Sequence, residues 1–262
     1  MRALLSLLAV LTILAGLGGL PPGGASAQDR DPILVPDISQ HDIRLRQGFT
    51  GETLLLYGAV LDQAGRGGNY DIVVVLKGPA EQIRIREKAR LLGLIWVNAD
   101  STAYRSVPSF YAMASSRPIA DIVDPTTAAI YELGLPYLQL SPSGQIDPEE
   151  QARFSAGLVD LRQRQGLYAQ DEAGVTISQG VLYRADIPIP SNVVAGRYVA
   201  ETFAIKDGRV MASATSRVEV FKEGFELGVE EASTDIPLWY GLFAVGLSIF
   251  MGWAAGRLFT YI

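Results

Sequence analysis

The feature that most constrains this chain is an uncharged segment near its C-terminus. From Ile236 to Gly256 the sequence contains no Asp, Glu, Lys or Arg. A helix needs about 20 apolar residues to cross the hydrocarbon core of a bilayer. Aromatic residues bracket the segment, as is typical of membrane–water interfaces. The sequence therefore predicts an acidic stalk at 225–235, a transmembrane helix at 236–258 and a tail at 259–262, with a buried core helix as the alternative to the membrane span.

Residues 1–27 have the organisation of a secretory signal peptide. Arg2 precedes a long apolar stretch, Pro21–Gly24 interrupts it, and Ala25–Ala27 supplies a small-residue cleavage site. An uncleaved N-terminal anchor is the alternative. Export followed by a stop at the second apolar segment predicts a single-pass protein of the inner membrane. Its main domain is then expected in the periplasm and its C-terminus in the cytoplasm.

Composition narrows what residues 28–235 can do. The full chain has a formal net charge of −6, which argues against a nucleic-acid partner. It contains no cysteine and a single histidine, His41. Thiol catalysis and thiolate metal sites are therefore excluded, and one histidine cannot build a multi-histidine metal centre. We expect no cofactor, no metal site and no catalytic residue, and we interpret His41 as a solvated residue at a strand edge.

Apolar runs separated by turn residues at intervals of about 10 positions predict β-strands. They define a first β-rich half at 28–124 and a second at 173–224. The strand Thr53–Leu61 is so apolar that we expect burial on both faces. The pair Asp207-Gly208 is a strong hairpin signal. The prediction is a mainly β exported domain in the style of an immunoglobulin-like sandwich, and the pattern leaves open whether there are one or two sandwiches.

Two Asp-Pro pairs, at 124–125 and 147–148, each place an N-cap residue before a proline at the first helical position. They predict two helices, Pro125–Leu133 and Pro148–Gln165, within an insertion at 125–172. In the second helix, apolar residues recur at helical spacing and are predicted to face the core. These residues are Phe154, Leu158 and Leu161.

The stretch WVNADSTAYRSVPSFYAMAS, residues 96–115, combines aromatic and polar residues without His or Cys. We interpret Trp96 as a core residue, Asn98–Ser101 as a turn and Pro108 as the start of the next strand, whose aromatic residues pack in the core. The remaining polar residues form a candidate recognition edge. Its members are Asn98, Asp100, Ser101, Tyr104 and Arg105.

Two further patterns are candidates for binding. Basic residues occupy every second position of one predicted strand, at Arg84, Arg86, Lys88 and Arg90. They form either a solvated edge protected by charge or an anion-binding surface. In the apolar segment, Gly252 and Gly256 form a G-x-x-x-G pattern, which lets a second helix approach closely. Ordinary tolerance of glycine in membrane helices is the alternative explanation.

Three segments carry a resemblance to a known family: FTGETLLLYGAV at 49–60, YDIVVVLKGP at 70–79 and the long run at 88–118. They resemble the alphaproteobacterial putative transmembrane protein family, and the later segments have the same layout, so the resemblance covers nearly the whole mature chain. It implies an exported β-rich domain with one C-terminal span, and it supplies no reaction or catalytic residue. Members are often encoded beside an integral membrane exporter of the sulfite/sulfonate type, which implies an accessory role with such a transporter as partner.

The leading functional hypothesis is therefore a non-enzymatic, membrane-anchored periplasmic accessory or binding module. Two alternatives remain open. A carboxylate-based envelope hydrolase would need two carboxyl groups about 5–10 Å apart in one cleft. A structural envelope protein would need neither a cleft nor a specific partner.

Overall fold

The computed structural model describes residues 31–46, 48–62, 65–91, 95–144, 146–223 and 233–259, without the side chains at 89, 91, 95–99, 258 and 259. The predicted signal peptide, most of the predicted stalk and residues 260–262 lie outside the described residues. The strands are β1 Ile33–Ile38, β2 Asp42–Leu45, β3 Gly51–Leu61, β4 Asp71–Lys77, β5 Ala80–Leu91, β6 Ile95–Pro108, β7 Tyr111–Ser115, β8 Ser141–Pro142, β9 Tyr168–Asp171, β10 Val175–Ser178, β11 Leu182–Pro190, β12 Gly196–Lys206 and β13 Arg209–Lys222. The helices are α1 Ile119–Ile122, α2 Pro125–Tyr131, α3 Pro148–Arg164 and α4 Pro237–Phe259, and a 3-10 turn covers Leu135–Tyr137.

Two sheets face each other across one hydrophobic core. One has the strand order β1-β3-β11-β10, and the other has the order β2-β13-β12-β4-β7-β9. Across the core, β1 approaches β13, β10 approaches β4 and β11 approaches β7. With β1, β3, β11 and β10 as strands A, B, E and D, and with β4, β12 and β13 as C, F and G, the order is that of an immunoglobulin sandwich. The predicted fold class is confirmed, and the sandwich is single, because the chain from Pro32 onward forms one compact unit.

A buried tyrosine fixes the start of the strand that corresponds to F. Tyr198 in β12 is fully buried, and its hydroxyl donates a hydrogen bond of 2.8 Å to the backbone oxygen of Val194. A tyrosine at this place, bonded to backbone a few residues upstream, is the tyrosine corner of immunoglobulin-like domains. Burial raises the pKa of Tyr198 to about 12, so its hydroxyl keeps its proton at physiological pH. Its position supports the strand assignment independently of the sheet order.

The strongest turn signal of the sequence is confirmed. Strands β12 and β13 form an antiparallel hairpin in which Lys206 pairs with Arg209. The two residues between them, Asp207 and Gly208, have φ angles of 51° and 76°. Two successive positive φ angles are what a type I′ turn requires, and Asp-Gly adopts them at low cost.

The expectation that the strand Thr53–Leu61 is buried on both faces is wrong. In β3, Leu54, Leu56 and Val60 are buried, whereas Tyr57 is 39% exposed. The reason is the position of the strand, since β3 belongs to the four-stranded sheet, whose outer face is open to solvent. Both-face burial occurs instead in β4, where Ile72–Leu76 have no exposed surface.

The stretch at 96–115 folds differently from its prediction. Asn98–Ser101 is not a turn, because β6 runs through it and pairs antiparallel with β5. The pairing shifts register between Glu87 and Lys88, opposite these residues, so the turn-like side chains mark a β-bulge. Pro108 ends β6 rather than starting β7. The buried Phe110 and Tyr111 confirm the predicted core aromatics, while the side chain of Trp96 lies outside the described residues.

The insertion between β7 and β10 contains both predicted helices, as α2 and α3. It also contributes strands, because β8 pairs with β6, and β9 pairs with β7. On α3, Phe154 and Leu158 are buried as predicted, but Leu161 is 46% exposed. At that turn of the helix Arg162 points toward the β5–β6 hairpin instead and forms an ion pair with Glu81.

A candidate binding cleft and a cationic hairpin face

A cleft with a volume of about 850 Å³ lies beside α3. One wall is the irregular segment after α2, and the other is a stripe of mostly small residues on α3. The wall residues that contribute apolar surface are Leu135, Pro136, Leu138, Leu140, Ala152, Ala156 and Val159. A cleft of this size and lining is typical of sites that bind apolar ligands or segments of other proteins.

The ionisable residues that line this cleft already have partners. The Asp160 carboxylate pairs with the Arg164 guanidinium at 2.6 Å. The Glu172 carboxylate accepts a hydrogen bond of 2.8 Å from the Gln170 amide. Because these carboxylates are held by neighbours at the rim, their arrangement suits an apolar occupant with a polar border better than it suits acid–base chemistry.

A buried tyrosine holds the irregular wall of the cleft in place. The hydroxyl of Tyr111 donates to the backbone oxygen of Glu132 at 2.7 Å and accepts from the backbone nitrogen of Gly134 at 2.9 Å. Burial raises the pKa of Tyr111 well above its usual range. The Glu132 carboxylate also meets the Lys77 ammonium at 2.6 Å, which joins this segment to β4.

Strand β9 lies at the end of the six-stranded sheet and borders the cleft through Gln170. Its one strand neighbour is β7, and among the described residues no strand lies on its other side. An apolar groove beside an edge strand is the geometry in which an extended peptide adds to a sheet. The Gln170 side chain accepts a hydrogen bond from the Leu135 backbone nitrogen at 3.0 Å and so joins β9 to the irregular wall of the cleft.

The β5–β6 hairpin carries the second candidate surface, on its face away from α3. Ile83 and Ile85 pack against the core, so the alternate residues of β5 point to the opposite, exposed face. Arg105 on β6 is also exposed, and its guanidinium donates to the backbone oxygen of Ser143 at 2.9 Å. We define the cationic face as Arg84, Arg86, Lys88 and Arg105.

Four of the five residues predicted as one recognition edge have described side chains, and these four lie on two faces of this hairpin. Ser101, opposite Arg86, and Arg105 belong to the exposed cationic side. Tyr104 is buried, and its hydroxyl lies 3.0 Å from the Ser155 hydroxyl of α3. Asp100 pairs with Glu87 on the side of α3, and the side chain of Asn98 lies outside the described residues.

Asp100 meets a second carboxyl group at the start of α3. A hydrogen bond with Asp100 and the negative charge of that residue raise the pKa of Glu150. Neither residue lines the large cleft. The pair is therefore two acids at an exposed junction of hairpin and helix, which differs from the cleft geometry that a carboxylate hydrolase requires.

The remaining sequence candidates are solvent-facing. The His41 side chain is 67% exposed and lies 3.8 Å from the Asp37 carboxylate. Among the described residues, no group of three or more His, Cys, Asp or Glu side chains could hold a metal ion.

The predicted membrane segment forms α4. Its part Pro237–Arg257 is a helix long and apolar enough to cross a membrane, and this helix is not buried against the rest of the described chain. An added Cβ at Gly252 or Gly256 would meet no atom within 4 Å, so this side of the helix has room for a second helix.

Sequence reasoning missed the cleft. Its signal was present as Ala152, Ser155 and Ala156, which are small residues at helical spacing on one side of α3. The apolar segment LPYLQL at 135–140 follows the predicted helix stop and supplies the opposite wall. The distance in sequence between these two segments conceals the fact that they face each other.

Comparison with known proteins agrees with the architecture. No curated protein matches the sequence. A family model described as "Putative transmembrane protein (Alph_Pro_TM)" matches residues 33–261, which include the sandwich, the hairpin, the cleft and the apolar helix. The resemblance drawn from the sequence is thus confirmed, and the chain belongs to this transmembrane protein family.

Proposed function

We propose that this protein is a non-enzymatic binding module, anchored by α4, whose cleft holds an extended apolar segment of an integral membrane protein. The single observation that carries the proposal is the cleft between α3 and the segment after α2, which the edge strand β9 borders. It is apolar along both walls, and its rim carboxylates are engaged by Arg164 and Gln170. Edge-strand backbone can supply hydrogen bonds to an extended segment while the apolar walls receive its side chains.

Other observations support the proposed location and partner class. The apolar α4 and the family membership support a membrane anchor. The signal-peptide pattern at 1–27 supports a periplasmic domain on the inner membrane. The resemblance to a family often encoded beside sulfite/sulfonate-type exporters supports an integral membrane transporter as the partner. The protein would then assist the export of an anion without itself carrying out a reaction.

Site-specific photo-crosslinking in the native membrane tests the cleft. A benzoylphenylalanine at Ala156 places the reactive group in the cleft. The same residue at Leu161 is the matched control, because Leu161 is exposed on α3 and does not line the cleft. We expect one membrane-protein adduct from position 156 that is absent from position 161. Equal labelling from both positions, or none from either, would refute the proposal.

The membrane helix gives a second test of the same partnership. If α4 packs against a transporter helix through its small residues, Gly252→Leu combined with Gly256→Leu should lower copurification of the partner in detergent several-fold, because leucine side chains prevent close approach. Ala254→Leu is the control, since it adds bulk on the side of the helix opposite the two glycines. Unchanged copurification in the double variant would exclude pairing through this side of α4.

A further inference from the structure

We call the two facing sheets, β1-β3-β11-β10 and β2-β13-β12-β4-β7-β9, the immunoglobulin frame. The β5–β6 hairpin is an addition to this frame. It lies between β4 and β7, which pair directly with each other in the six-stranded sheet. The inner side of the hairpin is fastened to α3 by the Tyr104–Ser155 contact and by two ion pairs, Glu81 with Arg162 and Glu87 with Arg153. The frame closes without the outer side of the hairpin, so that side is available for a separate role.

Charge is sorted between the two sides of this hairpin. The acidic residues of β5, Glu81 and Glu87, lie on the inner side and have arginine partners. Among the described side chains, every charged residue on the outer side is a cation. Within the described part of the chain, Arg84, Arg86 and Lys88 form no ion pair, although the whole chain has a net charge of −6. A single-sign surface on an acidic protein indicates an anionic partner.

Edge protection alone does not account for this sorting. Strand β5 is an edge strand of the β5-β6-β8 sheet, and charges on such an edge prevent pairing with another chain. Either sign of charge serves that purpose, and mixed signs would avoid the repulsion among neighbouring cations. An anionic surface would relieve this repulsion.

The geometry fits a planar array of anions better than one small anion. Alternate residues of a strand lie about 7 Å apart and project in parallel, so their charged groups do not converge on one point. A bilayer presents phosphates in such an array. The membrane is also always near, because the chain from Glu223 to Pro237 spans at most roughly 50 Å when fully extended.

We propose that the cationic face binds the anionic phospholipid headgroups of the membrane in which the chain is anchored. Arg84, Arg86 and Lys88 contact lipid phosphates, and this contact orients the domain on the bilayer surface. The attraction of basic residues to anionic lipid is electrostatic and is screened by salt. The proposal uses the membrane anchor but is independent of what occupies the cleft.

The absence of cysteine makes a clean test available. Ser101→Cys places one fluorophore on the exposed side of β6, opposite Arg86. Thr176→Cys places it on the exposed side of β10 as the matched control. The full-length chain is reconstituted in nanodiscs of phosphatidylcholine, with or without phosphatidylglycerol, and quenching by a headgroup-linked nitroxide lipid is measured.

We expect quenching at position 101 to increase several-fold when phosphatidylglycerol is present, and to fall again in high salt. Position 176 should not respond. The combined variant Arg84→Gln, Arg86→Gln, Lys88→Gln should lose the increase while keeping its circular dichroism spectrum. As a second control, Arg217→Gln removes an exposed cation from β13 and should leave the increase intact.

Three outcomes would overturn the proposal. Equal quenching in both lipid mixtures would show that charge on the lipid is irrelevant. Full reversal by millimolar inorganic phosphate would assign the face to a free small anion. Quenching at position 101 that does not depend on the lipid, together with crosslinking of a photoreactive group at the same cysteine to a protein in native membranes, would assign the face to an acidic protein. Each of these results is independent of crosslinking at Ala156, so the two proposals can fail separately.

Discussion

Strands β4 and β5 are neighbours in sequence, separated by Gly78 and Pro79, yet they belong to different environments. In β4 five consecutive side chains have no exposed surface, whereas β5 alternates between half-buried and exposed residues. A continuous apolar run is stable only where both faces are covered, as in the centre of the six-stranded sheet. The alternating run keeps its cations in water on one face and packs on α3 with the other. The comparison shows that the frame provides stability, while the inserted hairpin provides surface.

The largest effect should come from the frame. Leu76→Ala in β4 leaves a cavity in a fully buried site and should lower the free energy of unfolding by about 2–5 kcal/mol. Arg86→Ala in β5 is the control and should change it by less than about 0.5 kcal/mol, because the side chain is exposed. Chemical denaturation in detergent, followed by circular dichroism, measures both. Comparable losses in the two variants would remove the distinction between frame and hairpin.

A smaller effect is expected where the frame meets the insertion. Tyr111→Phe removes both hydrogen bonds that fix the cleft wall and leaves the buried Gly134 N–H without its acceptor, which should cost about 1–3 kcal/mol. The control Tyr137→Phe also lies near this wall, and its described contacts include no hydroxyl hydrogen bond. Unfolding under the same conditions provides the measurement. If the Tyr111 variant is as stable as wild type, the wall does not depend on this hydroxyl.

A more local effect is expected within the hairpin. Tyr104→Phe removes the contact with Ser155 and should cost about 1 kcal/mol. Hydrogen exchange should show the loss as faster exchange across β5 and β6, with β4 amides unchanged, because regions with few buried contacts open separately from the core. Ser106→Ala, at an exposed position of β6, is the control. Faster exchange in β4 as well would mean that hairpin and frame unfold together.

The sequence predicted the frame well because its signals are local. Asp207-Gly208 defines the last hairpin, the two Asp-Pro pairs start α2 and α3, and the uncharged run at 236–256 forms α4. These features depend on residues that are neighbours in sequence and on the spacing of apolar residues, and both can be read from one sequence.

The sequence was less informative where the position of an element in the tertiary structure decides which of its side chains are buried. The apolar β3 is open on one face because no described element covers the outer side of its sheet, and composition does not reveal which sheet a strand joins. The bulge at Asn98–Ser101 uses the residue types of a turn, so local chemistry alone favoured the wrong structure. The predicted recognition edge mixed the two sides of β6 for the same reason, since a bulge changes which residues share a face. Leu161 fits the helical period that predicts a core residue, but it is exposed, because at this turn of α3 it is Arg162 that contacts the hairpin, through Glu81.

The smallest predicted effect tests the inner side of the hairpin through pH. Asp100 raises the pKa of Glu150 above its usual value, so the folded state disfavours the charged carboxylate relative to the unfolded chain. The stability contribution of this group is therefore fully present below the unfolded pKa and is lost as pH rises through the raised folded pKa. Glu150→Gln should raise the melting temperature slightly at neutral pH, and the gain should disappear below about pH 4, where both states hold the proton.

Glu149→Gln removes the same charge from the same helical turn, and it should bring no gain, because the helix dipole favours an acid there. Equal behaviour of the two variants across this pH range would show that Asp100 and Glu150 do not interact, and that the hairpin approaches α3 less closely than the structure describes.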